Sequence, residues 1–151
     1  MSVSAVEVRQ ATIDDLDLIV PLFDAYRQFY RQPTDTEQAR GFLRDRFHYN
    51  QSIIFLAFAG DAAVGFTQLY PSFSSGAMLP ILILNDLFVV PEARKHGAGS
   101  ALIDTAADYG RCVGALRLVL STEVTNTTAQ SLYERMGWKR DTVFCAYQLT
   151  L

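Results

Sequence analysis

The sequence holds two cysteines, Cys112 and Cys145, in no Cys-x-x-Cys arrangement, and two histidines, His48 and His96. Ligands this few and this scattered do not compose a structural zinc or iron–sulfur centre, and no metal is expected. Sparse cysteine also suits a reducing compartment, so a cytoplasmic setting is expected. The longest apolar run, Met78 to Leu84, is interrupted by Pro80 and falls far short of the roughly 20 residues a membrane-spanning helix needs. No basic stretch followed by an apolar core opens the chain, so no secretory signal is expected. The net charge of −3 provides no basic field for nucleic acid or for an anionic membrane, while it tolerates cationic amines.

What remains is an ordinary globular composition: 151 residues, half of them apolar and 19% charged. That length supports one domain, residues 1–151, with a sizeable core.

The chain is organised around the stretch from Val89 to Leu102. An apolar strand through Val90 enters a turn bearing Arg94, Lys95 and His96, then Gly97 and Gly99, then a helical run with Leu102, Ile103, Ala106 and Ala107 on one face. The first turn of a helix leaves about four amides without internal partners and carries partial positive charge. With glycines at 97 and 99 and a basic cluster beside them, the amides of Lys95 to Ser100, Ala98 included, form a candidate phosphate cradle. The dinucleotide fingerprint fails, because Leu102 stands where its third glycine belongs, and no Gly-Lys-Ser/Thr of a P-loop is present. An ordinary glycine-rich turn is the alternative.

Upstream, Val6 to Arg9 reads as a strand, and Thr12 to Asp15 as a helix start. Leu16, Ile19, Val20 and Phe23 lie at helical spacing, and Pro21 should kink or divide that helix. Tyr26, Phe29 and Tyr30 follow, either as packing or as an acceptor wall. Thr34-Asp35-Thr36-Glu37 reads as a capping box opening a second helix. Ser52–Ala59 and Ala62–Tyr70 flank Gly60-Asp61 as a hairpin, and 71–76 reads as a flexible loop holding Phe73.

One anomaly lies inside the central strand. Asn85 and Asp86 interrupt the apolar runs Ile81–Leu84 and Leu87–Val90, placing polar groups mid-sheet. Asp86 either ties down local backbone or is kept as a base. Downstream, Ala115–Thr122 reads as a strand, Asn126 as the cap of a helix carrying Leu132, Tyr133 and Met136, Gly137 as its stop, and Thr142–Leu151 as a closing strand. By spacing alone Tyr133 reads as a core aromatic.

Two motifs carry a resemblance. Arg94-x-x-Gly97-x-Gly99 after Leu87-Phe88-Val89-x-Pro91 resembles the coenzyme A pyrophosphate loop of the GNAT acetyltransferase superfamily. Asn126-x-x-Ala129-x-x-Leu132-Tyr133-Glu134-x-x-Gly137-Trp138 resembles that superfamily's closing helix. The order of elements is similar across nearly the whole chain. The resemblance implies an α/β (α+β) GNAT fold: a mixed sheet of about six to seven strands, the fourth and fifth splayed, flanked by about four helices.

It also implies an N-acetyltransferase that uses acetyl-coenzyme A. Its pyrophosphate would sit on the Lys95–Ser100 amides beside Arg94, its pantetheine along Leu87, Phe88 and Val89, with Asn126 contacting the cofactor. Tyr133 would protonate the departing thiolate, and Asp86, with Asn85, would take the amine proton. Tyr26, Tyr30, Tyr70 and Phe73 would wall the acceptor, a small polyamine-like or amino-acid-like amine. The sequence is similar to the polyamine and thialysine enzymes and to the fungal histone or amino-acid type, but Asn85 stands where the polyamine enzymes carry Glu. A protein lysine or N-terminal acceptor, or a non-catalytic coenzyme A-binding domain, are the alternatives. A homodimer is expected from the family's habit.

Overall fold

The computed structural model describes residues 5–151, which divide into two compact units, 5–120 and Ser121–Leu151. In the first, β1 (Val6–Gln10), α1 (Leu16–Phe29), α2 (Thr36–His48), β2 (Ile53–Ala59), β3 (Ala62–Ser74), β4 (Leu79–Val89), α3 (Ala98–Cys112) and β5 (Leu118–Val119) follow in order. The sheet runs β1-β2-β3-β4-β5, antiparallel except for the parallel β4–β5 pair. Among the described residues it has five strands rather than six or seven.

The two faces are covered differently. Ile19, Val20, Leu22 and Phe23 of α1 and Ala39 and Leu43 of α2 pack on Ile54, Leu56, Phe66 and Phe88 of the sheet. On the opposite face α3 buries Leu102, Ile103 and Ala106, and Tyr109 meets Phe55 edge-on at 5.7 Å. Gly65 is a packing requirement there, since a Cβ on it would lie 2.8 Å from the Phe88 carbonyl oxygen and 3.4 Å from Leu102 Cδ1. Burying each such aliphatic side chain contributes about 1.5–3 kcal/mol, so this double-sided core fixes where β3 and β4 stand.

Several local expectations are corrected. Pro21 does not divide α1: it lies exposed in the second turn and forgoes one amide bond while the helix continues. The α2 cap is Asp35, whose carboxylate accepts from Gln38 N at 3.0 Å; Thr34 instead donates to buried Asp24 at 2.6 Å. Asp24 also accepts from Asp35 N (2.8 Å) and Gln28 (3.0 Å), which ties the α1–α2 connection down and holds its carboxyl below the usual range despite burial. Residues 71–74 are not loop but the end of β3, with Pro71 opposite Leu82 and Phe73 opposite Pro80. β2 reaches only as far as Leu69, so the edge to which Pro71 would have donated has no strand, and proline costs no ladder bond there.

The second unit contains α4 (Thr127–Arg135), capped by Asn126 Oδ1, which accepts from Ala129 N at 3.2 Å, and stopped at Gly137 (φ 94°). The strand expected at Thr142–Leu151 is not formed. Asp141 accepts from the amides of Val143 and Phe144 at 2.9 and 3.0 Å, turning the chain where the strand should begin. A lone extended segment without ladder partners is not a strand.

Candidate active site

The anomaly in β4 is a bulge. Gln68 faces Asp86 and Leu69 faces Leu84, so Asn85 opposes no residue of β3. Adjacent residues of β3 point to opposite faces, which sends Leu84 toward α3 with Leu69 and Asp86 toward α1 and α2 with Gln68. An unbroken strand would have set Asp86 on the same face as Leu84. One inserted residue thus moves a carboxylate from an apolar layer to the wall of a cleft.

Asp86 is 2% exposed there, and both oxygens are served: Gln68 Nε2 donates to Oδ2 at 2.5 Å and Asn85 Nδ2 to Oδ1 at 2.8 Å. Thr67 Oγ1 donates to the Asp86 carbonyl at 2.8 Å, and the Tyr26 hydroxyl to the Asn85 carbonyl at 3.2 Å, which fixes the bulge backbone. Burial pushes the Asp86 carboxyl up from its ordinary value, against the opposing pull of Gln68, Asn85 and Tyr26. A carboxylate placed so is more basic than a surface one while still held in a fixed direction. The same burial, aided by the Asp86 charge, pushes the phenols of Tyr26 and Tyr70 well up, so both stay protonated.

A cleft of about 290 Å³ opens over this group, lined by Phe23, Tyr26, Arg27, Gln38, Ala39, Phe42, Tyr70, Asn85 and Asp86. Of the four aromatics expected to wall an acceptor, Tyr26 and Tyr70 line it. Tyr30 stands behind, edge-on to Tyr26 at 5.0 Å, and Phe73 lies outside the lining, 77% exposed near the β3–β4 turn. Gln68 was not anticipated: the signal for it is one amide in the otherwise apolar middle of β3.

The second half of the site follows β4. Pairing with β5 covers only Leu82 with Leu118 and Ile83 with Val119, so beyond Ile83 the fourth and fifth strands part, as expected. Val90 donates to Val64 O at 2.9 Å, and by ladder alternation the polar groups of Leu87 and Val89 face the opposite, open edge. Val89 O indeed accepts from Arg94 Nε at 2.9 Å rather than from β3, while Phe88 points its ring into the core. Arg94 is held by that bond and lies 5.7 and 5.9 Å from the Phe88 and Phe29 rings.

Lys95, His96 and Gly97 then lie exposed, with positive φ at Lys95 (68°) and Gly97 (88°), and Ala98 opens α3. Ala101 N is the first α3 amide to reach a helical carbonyl, at Gly97, and Gly97 supplies no cap, so Ala98, Gly99 and Ser100 leave their amides for an outside acceptor. An added Cβ at Gly97 would meet nothing within 4 Å, so the space in front of the loop is open. This fits a diphosphate, and the open β4 edge beside it fits an amide-bearing arm. Asn126 and Tyr133 lie in the second unit, where the Asn126 cap uses only its oxygen and Tyr133 sits 5.9 Å from Trp138. Among the described residues no group of three His, Cys, Asp or Glu is placed to hold a metal.

The family model described as "Acetyltransferase (GNAT) family" matches residues 19–138. The "Uncharacterized N-acetyltransferase YhfO" of Bacillus subtilis (strain 168) is 49% identical over 144 residues, covering 95% of this chain and 97% of its own. A crystal structure of a probable acetyltransferase is similar at a TM-score of 0.92 and 40% identity, over 96% of this chain and 97% of that one. An aminoglycoside N-acetyltransferase solved in complex with CoA shares the fold at a TM-score of 0.82 and 19% identity, over 98% and 97%.

Proposed function

This chain belongs to the GNAT acetyltransferase family, and on that premise we propose that its N-acetyltransferase activity is direct transfer from acetyl-coenzyme A to a small primary amine held over Asp86. Acetyl-coenzyme A supplies the activated acetyl thioester. The amides of Lys95 to Ser100, with Lys95 and His96 beside them, receive its pyrophosphate, and the open edge at Leu87 and the Val89 amide pairs with its pantetheine, the Val89 carbonyl being held by Arg94. Asn126 adds a side-chain contact.

A free alkylamine has a pKa near 10.4 and must lose a proton before it attacks. Asp86 takes that proton, directly or through a water that Asn85 helps to hold. The amine nitrogen forms its bond to the acetyl carbon, the carbon–sulfur bond breaks, Tyr133 gives its proton to the leaving thiolate, and the second proton shed by the acylated nitrogen restores the Tyr133 phenol. Tyr26 and Tyr70 wall the amine, with Tyr30 behind Tyr26; Phe73 is left to the rim. Neither Cys112 nor Cys145 is needed.

The observation that carries this reading is the bulge that turns one buried, doubly amide-bonded carboxylate into an aromatic-walled cleft next to an unpaired strand edge. The small volume of the cleft favours a small acceptor. Release of free thiol from acetyl-coenzyme A in the presence of an amine panel tests it; no release with any amine, while the thioester still binds, would leave only a coenzyme A-binding domain. We further read the chain as a cytoplasmic homodimer.

A further inference from the structure

We infer that the acceptor carries an anionic carboxylate at the end remote from its amine, so that the substrate class is an amino acid rather than a polyamine; this rests on the reading of the Asp86 cleft as the acceptor site. Beside that cleft lies a second one, of about 520 Å³, lined by Arg46, Asn50, Gln51, Tyr70 and Pro71. Tyr70 is a wall of both. Phe42 and Arg46 are one turn apart on α2, with Phe42 lining the first cleft and Arg46 the second, and the Arg46 guanidinium carbon lies 4.3 Å over the Phe42 ring. One continuous surface therefore runs from Asp86 past Tyr70 to Arg46.

The two ends differ in sign. Asp86 is an acceptor-only carboxylate suited to an ammonium or amine. Arg46 lacks any ion pair among the described residues, and its Nε is buried without an acceptor. That nitrogen is covered, with the guanidinium stacked on Phe42, so a ligand carboxylate in the open cleft would pair with the terminal nitrogens of the fork. The side-chain amides of Asn50 and Gln51 add neutral donors at the same end. Tyr70 registers both charges, since Asp86 pushes its phenol up while Arg46 opposes that shift. Arg27, the other cation near the first cleft, donates to Pro33 O at 3.1 Å and is tied to the α1–α2 connection. A diamine or polyamine would bring its distal ammonium against Arg46. Asn85 is a neutral amide already donating to Asp86, so it offers no second carboxylate for another positive charge there.

The test compares ω-amino acids of graded chain length with the n-alkylamine and the α,ω-diamine of the same length, by thiol release. The expected result is kcat/KM at least about tenfold higher for the amino acid of fitting length than for either comparator, a ratio typical of one charge-assisted bond pair. Arg46→Met should erase that advantage through KM while leaving the n-alkylamine within about twofold, and Arg46→Lys should restore part of it. Calorimetric binding of the corresponding N-acetyl-ω-amino acid, with the wild type and Arg46→Met, reads the same contact without turnover. Preference for the diamine, or an amino-acid advantage that survives Arg46→Met, overturns the inference. Turnover of every amine by Asp86→Asn would instead sink the cleft reading, which separates the two failures.

Discussion

Gln68 and Asp86 meet across the β3–β4 ladder at the residue where the register slips, Nε2 to Oδ2 at 2.5 Å, with Gln68 fully buried. The contact depends on the bulge, because only the inserted Asn85 brings Asp86 onto the face of Gln68. The amide donor lowers the carboxyl that burial raises, so Gln68 sets how basic Asp86 is as well as where it points.

Gln68→Met should therefore move the acid limb of the kcat/KM profile. A general base works only when ionised, so activity climbs as pH rises through the Asp86 pKa. Removal of the donor lifts that pKa further, and the limb shifts to higher pH. A limb that stays in place, measured with a neutral-range buffer series, would show that Asp86 is not the titrating base.

Asp86→Asn separates catalysis from stability. The folded-state pKa of Asp86 lies above the unfolded value, so its ionisation opposes folding at pH above that range and the penalty fades as pH falls below the ordinary carboxylate pKa. The isosteric amide should lower kcat by about 10²–10⁴-fold, the scale of a lost general base, while the thermal midpoint at neutral pH holds or rises. A lower midpoint together with normal turnover would make Asp86 a purely structural carboxylate.

Gly97 tests the phosphate loop. At φ 88° any L-residue is strained, by about 1 kcal/mol, although the added Cβ has room. Gly97→Ala should fold with that modest loss. Gly97→Glu should fold similarly yet bind coenzyme A at least about tenfold more weakly, because its charge faces the site of the pyrophosphate. Calorimetry that returned wild-type affinity for the Glu variant would refute the assignment.

How far the sequence led depends on whether a residue's task was local. The Asn126 cap, the Gly97 turn and the Gly60-Asp61 hairpin are set by a few neighbouring residues, and all were legible. The face that Asp86 occupies was not, because it turns on pairing with a strand 18 residues away. Arg46, Asn50 and Gln51 carry no signal for the same reason: Arg46 is one more polar residue of α2, Asn50 and Gln51 follow its end, and only Tyr70 from β3 turns that surface into a wall. The loose alternation of Thr142–Leu151 suggests a strand that does not form, because Asp141 bends the chain at its start.

Tyr133→Phe isolates the acid. The ring that sits 5.9 Å from Trp138 is retained and only the hydroxyl is lost, so α4 and coenzyme A affinity should be nearly unchanged. Coenzyme A is a thiol, and a thiol of pKa about 8.5 leaves tolerably as its anion, so the fall in kcat should lie near the low end for a lost proton donor, about 10²-fold. The pH profile is the sharper reading. In the wild type, turnover should drop once the phenol itself ionises, whereas the variant has no proton to lose and should show no alkaline limb from this source. If both proteins share the same alkaline limb and the same kcat, the thiolate is protonated by water and Tyr133 takes no part in the proton transfer.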